Sequence, residues 1–371
     1  MKPVERLEPF DAGRFLREFW QQRPCLISGW LDPQGLSLAG LIDAADRHEL
    51  PTRLITGNQE RSNWTLSHGP IGTADLPDQG SDWTILVQEM DKIHSGVETV
   101  MQAFRRFLPD WMLDDIMISH AMPGGSVGAH VDAYDVFLVQ VTGRRCWQLA
   151  TDFDPALDER FEMALLSHWH PQAELVAEPG DILYLPAGVA HHGVAVDECQ
   201  TWSVGLRTPS GPELMFYLAE SLTCAQDPGP RLKVGIPDAS IPARITPEMI
   251  HQTRTLLENT LKLDDGGIRH LLGQVLSSWR LWPRDETLID LEAIRRQLDA
   301  GATIKLDVGA RIAVCDTDGP DQLFVNGEAI ACPSALAHRV ARSRILERDW
   351  LDHDQGLEQL IECGALPGPE S

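Results

Sequence analysis

Apolar residues recur at helical spacing in the first third of the chain, where short strands separate the helices. The stretch FDAGRFLREFWQQRP predicts an amphipathic helix that ends at Pro24, because proline cannot continue the helical hydrogen bonds. The following CLISGW predicts a strand. A second amphipathic helix is predicted over SGVETVMQAFRRFLPDW, with Pro109 near its end. The first third is therefore expected to combine helices with short strands.

From Asp115 onward the pattern changes to short β-rich segments separated by turn sequences. The turns carry PGG, TGRR, EPGD and PAG, in which glycine and proline interrupt regular structure. The predicted strands are DIMISHAM, DVFLVQV, CWQLA, AELVAE, DILYLP, HGVAV and TWSVGLR. Many short strands at close spacing are typical of a barrel or a sandwich, which is what we expect for the middle of the chain.

After the TPSGP sequence that begins at Thr208, the pattern becomes helical. The predicted helices are PELMFYLAESLTCA, TPEMIHQTRTLLENTLKL and GIRHLLGQVLSSWRLW. The second has a strong start signal, since Thr246 can cap it and Pro247 fits its first turn. From about Glu286 a smaller module follows, with helices over LEAIRRQLDAG, SALAHRVARSRIL and GLEQLIECG and one strand each over TIKLDV, ARIAVCD and QLFVNGEAI.

These changes of pattern predict an α+β protein in three parts. Residues 1–208 would form a β-rich domain, residues 209–284 a helical region, and residues 285–371 a winged-helix-like module. A length of 371 residues is enough for three such parts and at least one large core.

Charge and cysteine usage narrow the possible functions. The formal net charge is −24, which argues against direct nucleic-acid binding and suits attraction of a basic partner, although it could also serve solubility alone. The seven cysteines are scattered and include no CxxC pair, so we expect free thiols in the reducing cytoplasm. The chain has no signal-peptide pattern at its start and no run long enough to span a membrane.

Three residues predict a metal site. His130 and Asp132 are two apart, so on an extended segment both side chains project to one face. An HxD pair alone is weak, but a PGD turn, an apolar strand and PxGxxH place His191 on a strand antiparallel to the first. Two histidines and one carboxylate with open positions form the ligand set of non-haem Fe(II) oxygenases. Of the adjacent histidines, His191 is the predicted ligand. His192 would contact a metal ligand without binding the metal, face the substrate or lie on the surface.

Arg145 predicts an anion site in the same barrel. It shares one strand face with Trp147 and Leu149, and this more apolar face is expected to point inward. A buried guanidinium needs an anion, and no acidic partner is evident beside it. The dicarboxylate 2-oxoglutarate fits, because its 2-oxo acid end can chelate iron while its far carboxylate meets the arginine. Ser119 could add a hydrogen bond to that carboxylate, although from periodicity it is an ordinary strand serine.

The chain resembles the bacterial JmjC ribosomal oxygenases, a cupin-like family that hydroxylates an arginine of the large-subunit ribosomal protein L-sixteen. The shared stretches are FLREFWQQRPCLISG, DWTILVQEMD, ISHAMPGGSVGAHVDAYDVFLVQVTGRRCW, EPGDILYLPAGVAHHGVA, WSVGLR and LFVNGEAI. The resemblance thus covers nearly the whole chain.

The resemblance implies a fold, ligands and partners. It implies a JmjC double-stranded β-helix catalytic domain, a helical dimerisation region and a C-terminal winged helix, assembled as a homodimer. Carried over by position, His130, Asp132 and His191 would bind Fe(II), and Arg145 and Ser119 would bind 2-oxoglutarate. With O2 as oxidant, the enzyme would hydroxylate C3 of an arginine in L-sixteen.

Other functions share parts of this pattern. Other JmjC oxygenases act as histidyl hydroxylases or lysine demethylases, and the chain shows no aromatic cage or reader domain that would favour demethylation. A metal-binding cupin without oxygenase activity, an isomerase or ligand sensor, would leave Arg145 without a role. A non-catalytic ribosome-binding scaffold would have no use for the three predicted metal ligands.

Overall fold

The computed structural model describes residues 3–60, 62–77, 82–224, 229–232, 245–278, 290–315 and 321–366. The chain divides into two compact units, Met1–Thr208 and Pro209–Ser371. No helix within the described ranges is long and apolar enough to cross a membrane. The predicted boundary near residue 284 falls in residues 279–289, outside the described part of the chain, so the three-part division stays a prediction.

The first unit consists mainly of β-strands, with three α-helices in its N-terminal half. The predicted strands of this unit are confirmed, and so are its two predicted helices, but both helices are shorter than expected. The first ends at Glu18, not at Pro24, and the second ends at Phe104, before Pro109. In chain order the elements are β1 (Glu5–Leu7), α1 (Ala12–Glu18), β2 (Cys25–Ile27), α2 (Leu38–Arg47), β3 (Thr52–Thr56), β4 (Thr65–His68), β5 (Trp83–Val87), α3 (Ser95–Phe104), β6 (Leu113–Ala121), β7 (His130–Val131), β8 (Val136–Thr142), β9 (Arg145–Ala150), β10 (Ala173–Ala177), β11 (Ile182–Leu185), β12 (Ala190–Ala195) and β13 (Cys199–Leu206).

Two sheets form the barrel. The larger has nine strands in the order β1-β2-β11-β8-β13-β6-β5-β3-β4, and the smaller has four in the order β10-β9-β12-β7. From β6 to β13 the chain crosses repeatedly between the two sheets, so strands that are distant in sequence become neighbours. This is the arrangement of the predicted double-stranded β-helix, with β3, β4 and β5 extending the larger sheet at one edge.

Side chains alternate between a buried and a more exposed face along β9, as its sequence predicts. Arg145, Trp147 and Leu149 are 2%, 5% and 0% exposed, whereas Cys146 and Gln148 are only partly buried. The apolar members of the inner face join Leu138 and other strand residues in one core cluster. The inner face of β9 therefore includes one charged residue, Arg145, among apolar ones.

An aromatic cluster packs two helices against the larger sheet. The ring of Phe137 on β8 lies 5.5 Å from Phe15 of α1 and 4.8 Å from Phe104 of α3, measured between centroids. Tyr184 of β11 adds a contact at 4.9 Å. All four residues are fully buried, and aromatic pairs at such distances each contribute about 0.5–1.5 kcal/mol beyond the burial of their area. The helices thus cover one face of this sheet.

The second unit is helical at first and then mixed. Thr246 caps α5 by accepting a hydrogen bond from the backbone N–H of Met249, and Pro247 follows it, as predicted. The elements are α4 (Gly211–Cys224), α5 (Pro247–Thr260), α6 (Asp265–Ser277), α7 (Leu291–Asp299), β14 (Ile304–Lys305), β15 (Ile312–Cys315), β16 (Gln322–Val325), β17 (Glu328–Ile330), α8 (Ser334–Ser343), β18 (Ile345–Leu346) and α9 (Asp354–Glu362). The end of the third predicted helix, beyond residue 278, lies outside the described residues.

One predicted strand of this unit is wrong. QLFVNGEAI forms two strands, β16 and β17, that pair antiparallel with Val325 opposite Glu328. Asn326 and Gly327 have φ values of 50° and 87°, so the chain reverses there in a two-residue hairpin turn. The predicted strand TIKLDV is also shorter than expected, since only Ile304–Lys305 pair, with β18.

Candidate active site

His130, Asp132 and His191 lie together, with one potential ligand atom from each within 4.8 Å of the others. The antiparallel pairing of β7 with β12 places His191 directly opposite His130. The Nε2 atoms of His130 and His191 lie 3.9 Å and 3.7 Å from the two carboxylate oxygens of Asp132. In the described part of the chain no other group of His, Cys, Asp and Glu side chains is arranged in this way.

Backbone carbonyls orient both imidazoles in the same manner. The Nδ1 atom of His130 lies 3.0 Å from the carbonyl oxygen of Gly128, and that of His191 lies 3.0 Å from the carbonyl oxygen of Val189. A carbonyl can only accept, so Nδ1 carries the proton in each ring and Nε2 keeps its lone pair. Hydrogen bonds of this kind hold metal-binding histidines in their ligating tautomer.

Burial determines the charge of the site. Desolvation, with a smaller contribution from the neighbouring His130, lowers the pKa of His191 to about 3, so His191 is neutral at physiological pH. Burial raises the pKa of Asp132, while His130 and Arg53 act in the opposite direction. Two imidazoles and one carboxylate are a ligand set that fits Fe(II) and leaves coordination positions open for other ligands.

Arg145 and Ser119 meet in the interior of the barrel. Arg145 Nη2 donates a hydrogen bond of 3.0 Å to Ser119 Oγ and lies 3.7 Å from Cys199 Sγ. Arg145 Nε is fully buried and has no hydrogen-bond partner. No carboxylate of the described residues forms an ion pair with this guanidinium. A buried charge without a counter-ion is costly, so the arrangement fits a bound anion such as the far carboxylate of 2-oxoglutarate.

The metal ligands and the arginine lie at different levels of the smaller sheet. Arg145 is opposite Ala195 of β12, whereas His191 is opposite Leu149, four residues farther along β9. At about 3.3 Å per residue, the two levels are about 13 Å apart along the strand. The long arginine side chain covers part of this distance, and a short dicarboxylate can cover the rest.

Sequence analysis did not identify the residues around the mouth of the site. Burial, together with the carboxylates of Asp132, Asp115 and Asp114, raises the pKa of Tyr134 to about 12, while Arg53 acts in the opposite direction. The Tyr134 side chain nevertheless remains 44% exposed. Tyr134 follows Asp132 by two residues, as Asp132 follows His130, so the same spacing would have indicated Tyr134. Nothing in the sequence connects Tyr134 with Asp114 and Asp115.

His192 is buried on the opposite face of β12. It is 4% exposed, so the surface alternative is excluded, and neither ring nitrogen has a hydrogen-bond partner. Trp169 stands edge-on to it, with centroids 6.3 Å apart, and donates a hydrogen bond of 2.9 Å to Gln148 Oε1. His192 therefore anchors the 151–170 segment to the outer face of the smaller sheet.

The SHWH stretch of that segment, residues 167–170, is a loop. His168 and His170 are exposed, and His168 Nδ1 lies 3.3 Å from Asp154 Oδ2. Within the residues described, no third ligand completes a second metal site there.

Comparisons with known proteins agree with this geometry. A family profile described as a JmjC domain matches residues 99–214. The chain is 33% identical to the ribosomal protein uL16 3-hydroxylase of Escherichia coli, over 88% of each chain. It is 30% identical to a probable ribosomal oxygenase of Haemophilus influenzae, over 85% of this chain and 80% of the relative. Among solved structures, it is similar to the Escherichia coli ribosomal oxygenase YcfD in complex with cobalt and 2-oxoglutarate, at 28% identity and a TM-score of 0.76, covering 95% of this chain and 96% of the other.

We expect Asp132→Ala to abolish tight binding of a divalent metal. The substitution removes the only carboxylate of the triad, and even indirect partners of metal ligands change affinity by about 10–100-fold, so the loss should be at least about a hundredfold. Calorimetric titration of the metal-free protein with Co(II) measures it. Asp154→Ala removes an exposed carboxylate of the 151–170 segment and is the matched control. Equal affinity in the two variants would contradict the triad.

We expect the metal-free protein to lose stability as the pH falls from about 6.5 to about 4. Burial lowers the pKa of His191 to about 3 and of His192 to about 4, so in this window the unfolded chain binds more protons than the folded one. Two buried carboxyls act in the opposite direction and offset part of the loss, since burial raises the pKa of Asp115 to about 6 and also raises that of Asp132.

The variant His192→Leu isolates one of these groups. It removes one titrating imidazole whose nitrogens have no hydrogen-bond partner. We therefore expect the slope of the unfolding free energy against pH to fall by up to about 1.4 kcal/mol per pH unit within the window. Urea unfolding at several pH values gives the slope, and an unchanged slope in the variant would show that His192 is not buried in its neutral form.

Proposed function

The chain belongs to the JmjC-domain ribosomal oxygenases, and from this membership we propose that it is an Fe(II)- and 2-oxoglutarate-dependent hydroxylase of a ribosomal protein. The observation that carries the proposal is the combination of a two-histidine, one-carboxylate cluster with a buried arginine that has no acidic partner among the described residues. A metal site alone would suit many cupins, whereas the unpaired arginine is needed only if an anion binds beside the metal.

The residues of the site have separate tasks in this reaction. His130, Asp132 and His191 would hold Fe(II), which together with 2-oxoglutarate and O2 supplies the oxidising power for hydroxylation and yields succinate and CO2. Arg145 and Ser119 would hold the far carboxylate of 2-oxoglutarate and so orient its 2-oxo acid end towards the metal. The apolar inner face around Trp147 excludes water, which strengthens the electrostatic contacts within the barrel.

The charge around the mouth supports a basic substrate side chain. Tyr134 is exposed, and the carboxylates of Asp132, Asp115 and Asp114 act on it electrostatically. Carboxylates near an exposed aromatic ring can receive a cation. A formal net charge of −24 would also attract a basic ribosomal segment at long range. The Escherichia coli relative is a ribosomal protein uL16 3-hydroxylase. Together with these charges, its activity favours an arginine of uL16 as the target, hydroxylated at C3.

The second unit would serve assembly and substrate docking. Exposed apolar side chains on two helices favour a homodimer formed through the predicted helical region, residues 209–284. Phe216 of α4 and Ile250 and Leu257 of α5 are 65%, 55% and 56% exposed. Helix α8, in the predicted winged-helix-like module, is not a favourable phosphate-binding surface, because Arg339 already pairs with Glu347 and Asp349. We propose a dimeric cytoplasmic enzyme that does not bind nucleic acid directly.

The test of the proposed function is mass spectrometry of uL16 from the same organism. The purified protein, supplied with Fe(II), 2-oxoglutarate and O2, is expected to add one oxygen atom to uL16, and fragmentation would locate it on one arginine. The matched control is Asp132→Ala, which should leave the mass unchanged. An unmodified uL16 in both reactions would rule out this substrate, and loss of a methyl group instead would show demethylation.

Arg145→Lys is expected to raise the 2-oxoglutarate concentration needed for half-maximal turnover by about tenfold or more. A lysine keeps the charge but loses the planar fork that binds a carboxylate through two parallel hydrogen bonds. Succinate production at varied 2-oxoglutarate measures the effect. Arg144→Lys changes the neighbouring arginine, which is exposed and pairs with Asp197, and is the control. The same requirement in both variants would refute the role of Arg145.

A further inference from the structure

A second arginine lies on the inner face of the larger sheet. In the strand register, Arg53 of β3 is opposite Leu86 of β5, and Leu86 is opposite Ser119 of β6. Arg53 therefore belongs to the same row of side chains as Ser119, two strands away from it. Its Nη2 atom lies 3.5 Å from Met117 Sδ, so the guanidinium extends across β5 to β6.

The guanidinium of Arg53 lies close enough to the carboxyl of Asp132 to lower the pKa of that group, but is not in ion-pair contact with it. No ion pair joins it to a carboxylate of the described residues, and its Nε atom is fully buried without a hydrogen-bond partner. A buried donor left unsatisfied costs about 1–3 kcal/mol, and more when it is charged. A folded protein keeps such a group at little cost only where a ligand supplies the missing acceptor.

The strand registers place this guanidinium near the metal end of the site. The backbone N–H of Gly124, just after β6, donates a hydrogen bond of 2.8 Å to the carbonyl of Ala195, which is level with Arg145. The end of β6 at Ala121 thus lies at the level of Arg145. The three predicted metal ligands lie towards the other end of β6. Met117 precedes Ser119 by two residues on the same face, so Arg53 reaches β6 on the metal side of Ser119.

We propose that Arg53 is a further cosubstrate-binding residue, which donates hydrogen bonds to the metal-side carboxylate of 2-oxoglutarate while Arg145 holds the far carboxylate. This inference rests on the proposed function. The metal-side carboxylate of a chelating 2-oxo acid still carries negative charge on the oxygen that does not bind the metal, and a guanidinium is suited to receive it.

Two observations favour the cosubstrate over the protein substrate as the partner of Arg53. Its Nε is closed off from solvent, so the missing acceptor must be a small group inside the barrel. A positive charge there would also repel the basic side chain that the acidic mouth is suited to attract. An anion of the cosubstrate satisfies both conditions.

The test is anaerobic titration of the full-length, Fe(II)-loaded protein with 2-oxoglutarate, followed by the charge-transfer absorption of the iron chelate. Arg53→Gln is expected to weaken 2-oxoglutarate binding about tenfold without weakening metal binding, and Arg53→Lys should lose only part of this affinity. Arg47→Gln alters an exposed arginine that pairs with Asp43 on α2, and should bind like the wild type.

A shorter 2-oxo acid assigns the contact to one end of the cosubstrate. In 2-oxobutyrate the metal-side carboxylate is present and the far one is absent. The loss caused by Arg53→Gln is therefore expected to persist with 2-oxobutyrate, whereas the loss caused by Arg145→Lys should disappear. A loss in Arg53→Gln that also disappears would overturn the proposal, because Arg53 would then act at the far end.

Other outcomes separate this inference from the proposed function. If wild type and Arg53→Gln bind 2-oxoglutarate equally well, the proposal is wrong and the proposed function stands. If the wild type itself does not bind 2-oxoglutarate, the proposed function fails and the proposal fails with it. Should Arg53→Gln not fold, as judged by circular dichroism, Arg53→Lys decides alone: weaker binding supports the contact and unchanged binding refutes it.

Discussion

The pairing of β7 with β12 is the contact on which the candidate site depends. It sets His191 opposite His130, and a slip of one residue would turn His191 outward and bring His192 into the barrel. Packing on both faces prevents this slip. Inside, the Trp147 ring lies so close to Gly193 that a Cβ atom there would come within 2.5 Å of it. Outside, Trp169 covers His192. The register is therefore fixed by shape as well as by hydrogen bonds.

The interior of the barrel is organised around charge that the protein does not neutralise itself. Arg145 and Arg53 both carry buried nitrogens without a partner, and no carboxylate of the described residues pairs with either. At the level of Arg145 the described interior thus carries a positive charge without a counter-ion, while at the other level Arg53 lies near Asp132 and the two histidines that could hold a cation. A divalent metal and a dianion together satisfy all of these groups, and either one alone would leave some of them unpaired.

The sequence was sufficient to predict that His130, Asp132 and His191 come together and that Arg145 is buried, because each follows from spacing within one or two neighbouring strands. The two-residue period identifies His130 with Asp132 and puts Arg145 on the apolar face of β9. Arg53 could not be found in this way, since its place beside Ser119 depends on the register of β3, β5 and β6, which no local pattern encodes. The missed hairpin at Asn326-Gly327 is different, because that dipeptide is itself a strong turn signal that the apolar residues on both sides obscured.

The interior of the cleft is positively charged and its mouth is negatively charged. This difference can determine the order in which cosubstrate and substrate bind. Arg145 and Arg53 favour an anion deep in the barrel, whereas Asp114 and Asp115 beside Tyr134 favour a cation outside it. A basic side chain that arrived first would meet repulsion from Arg53, and bound cosubstrate would remove that repulsion by neutralising the guanidinium. The same arginine that holds the cosubstrate would then favour entry of the substrate only after the cosubstrate is in place.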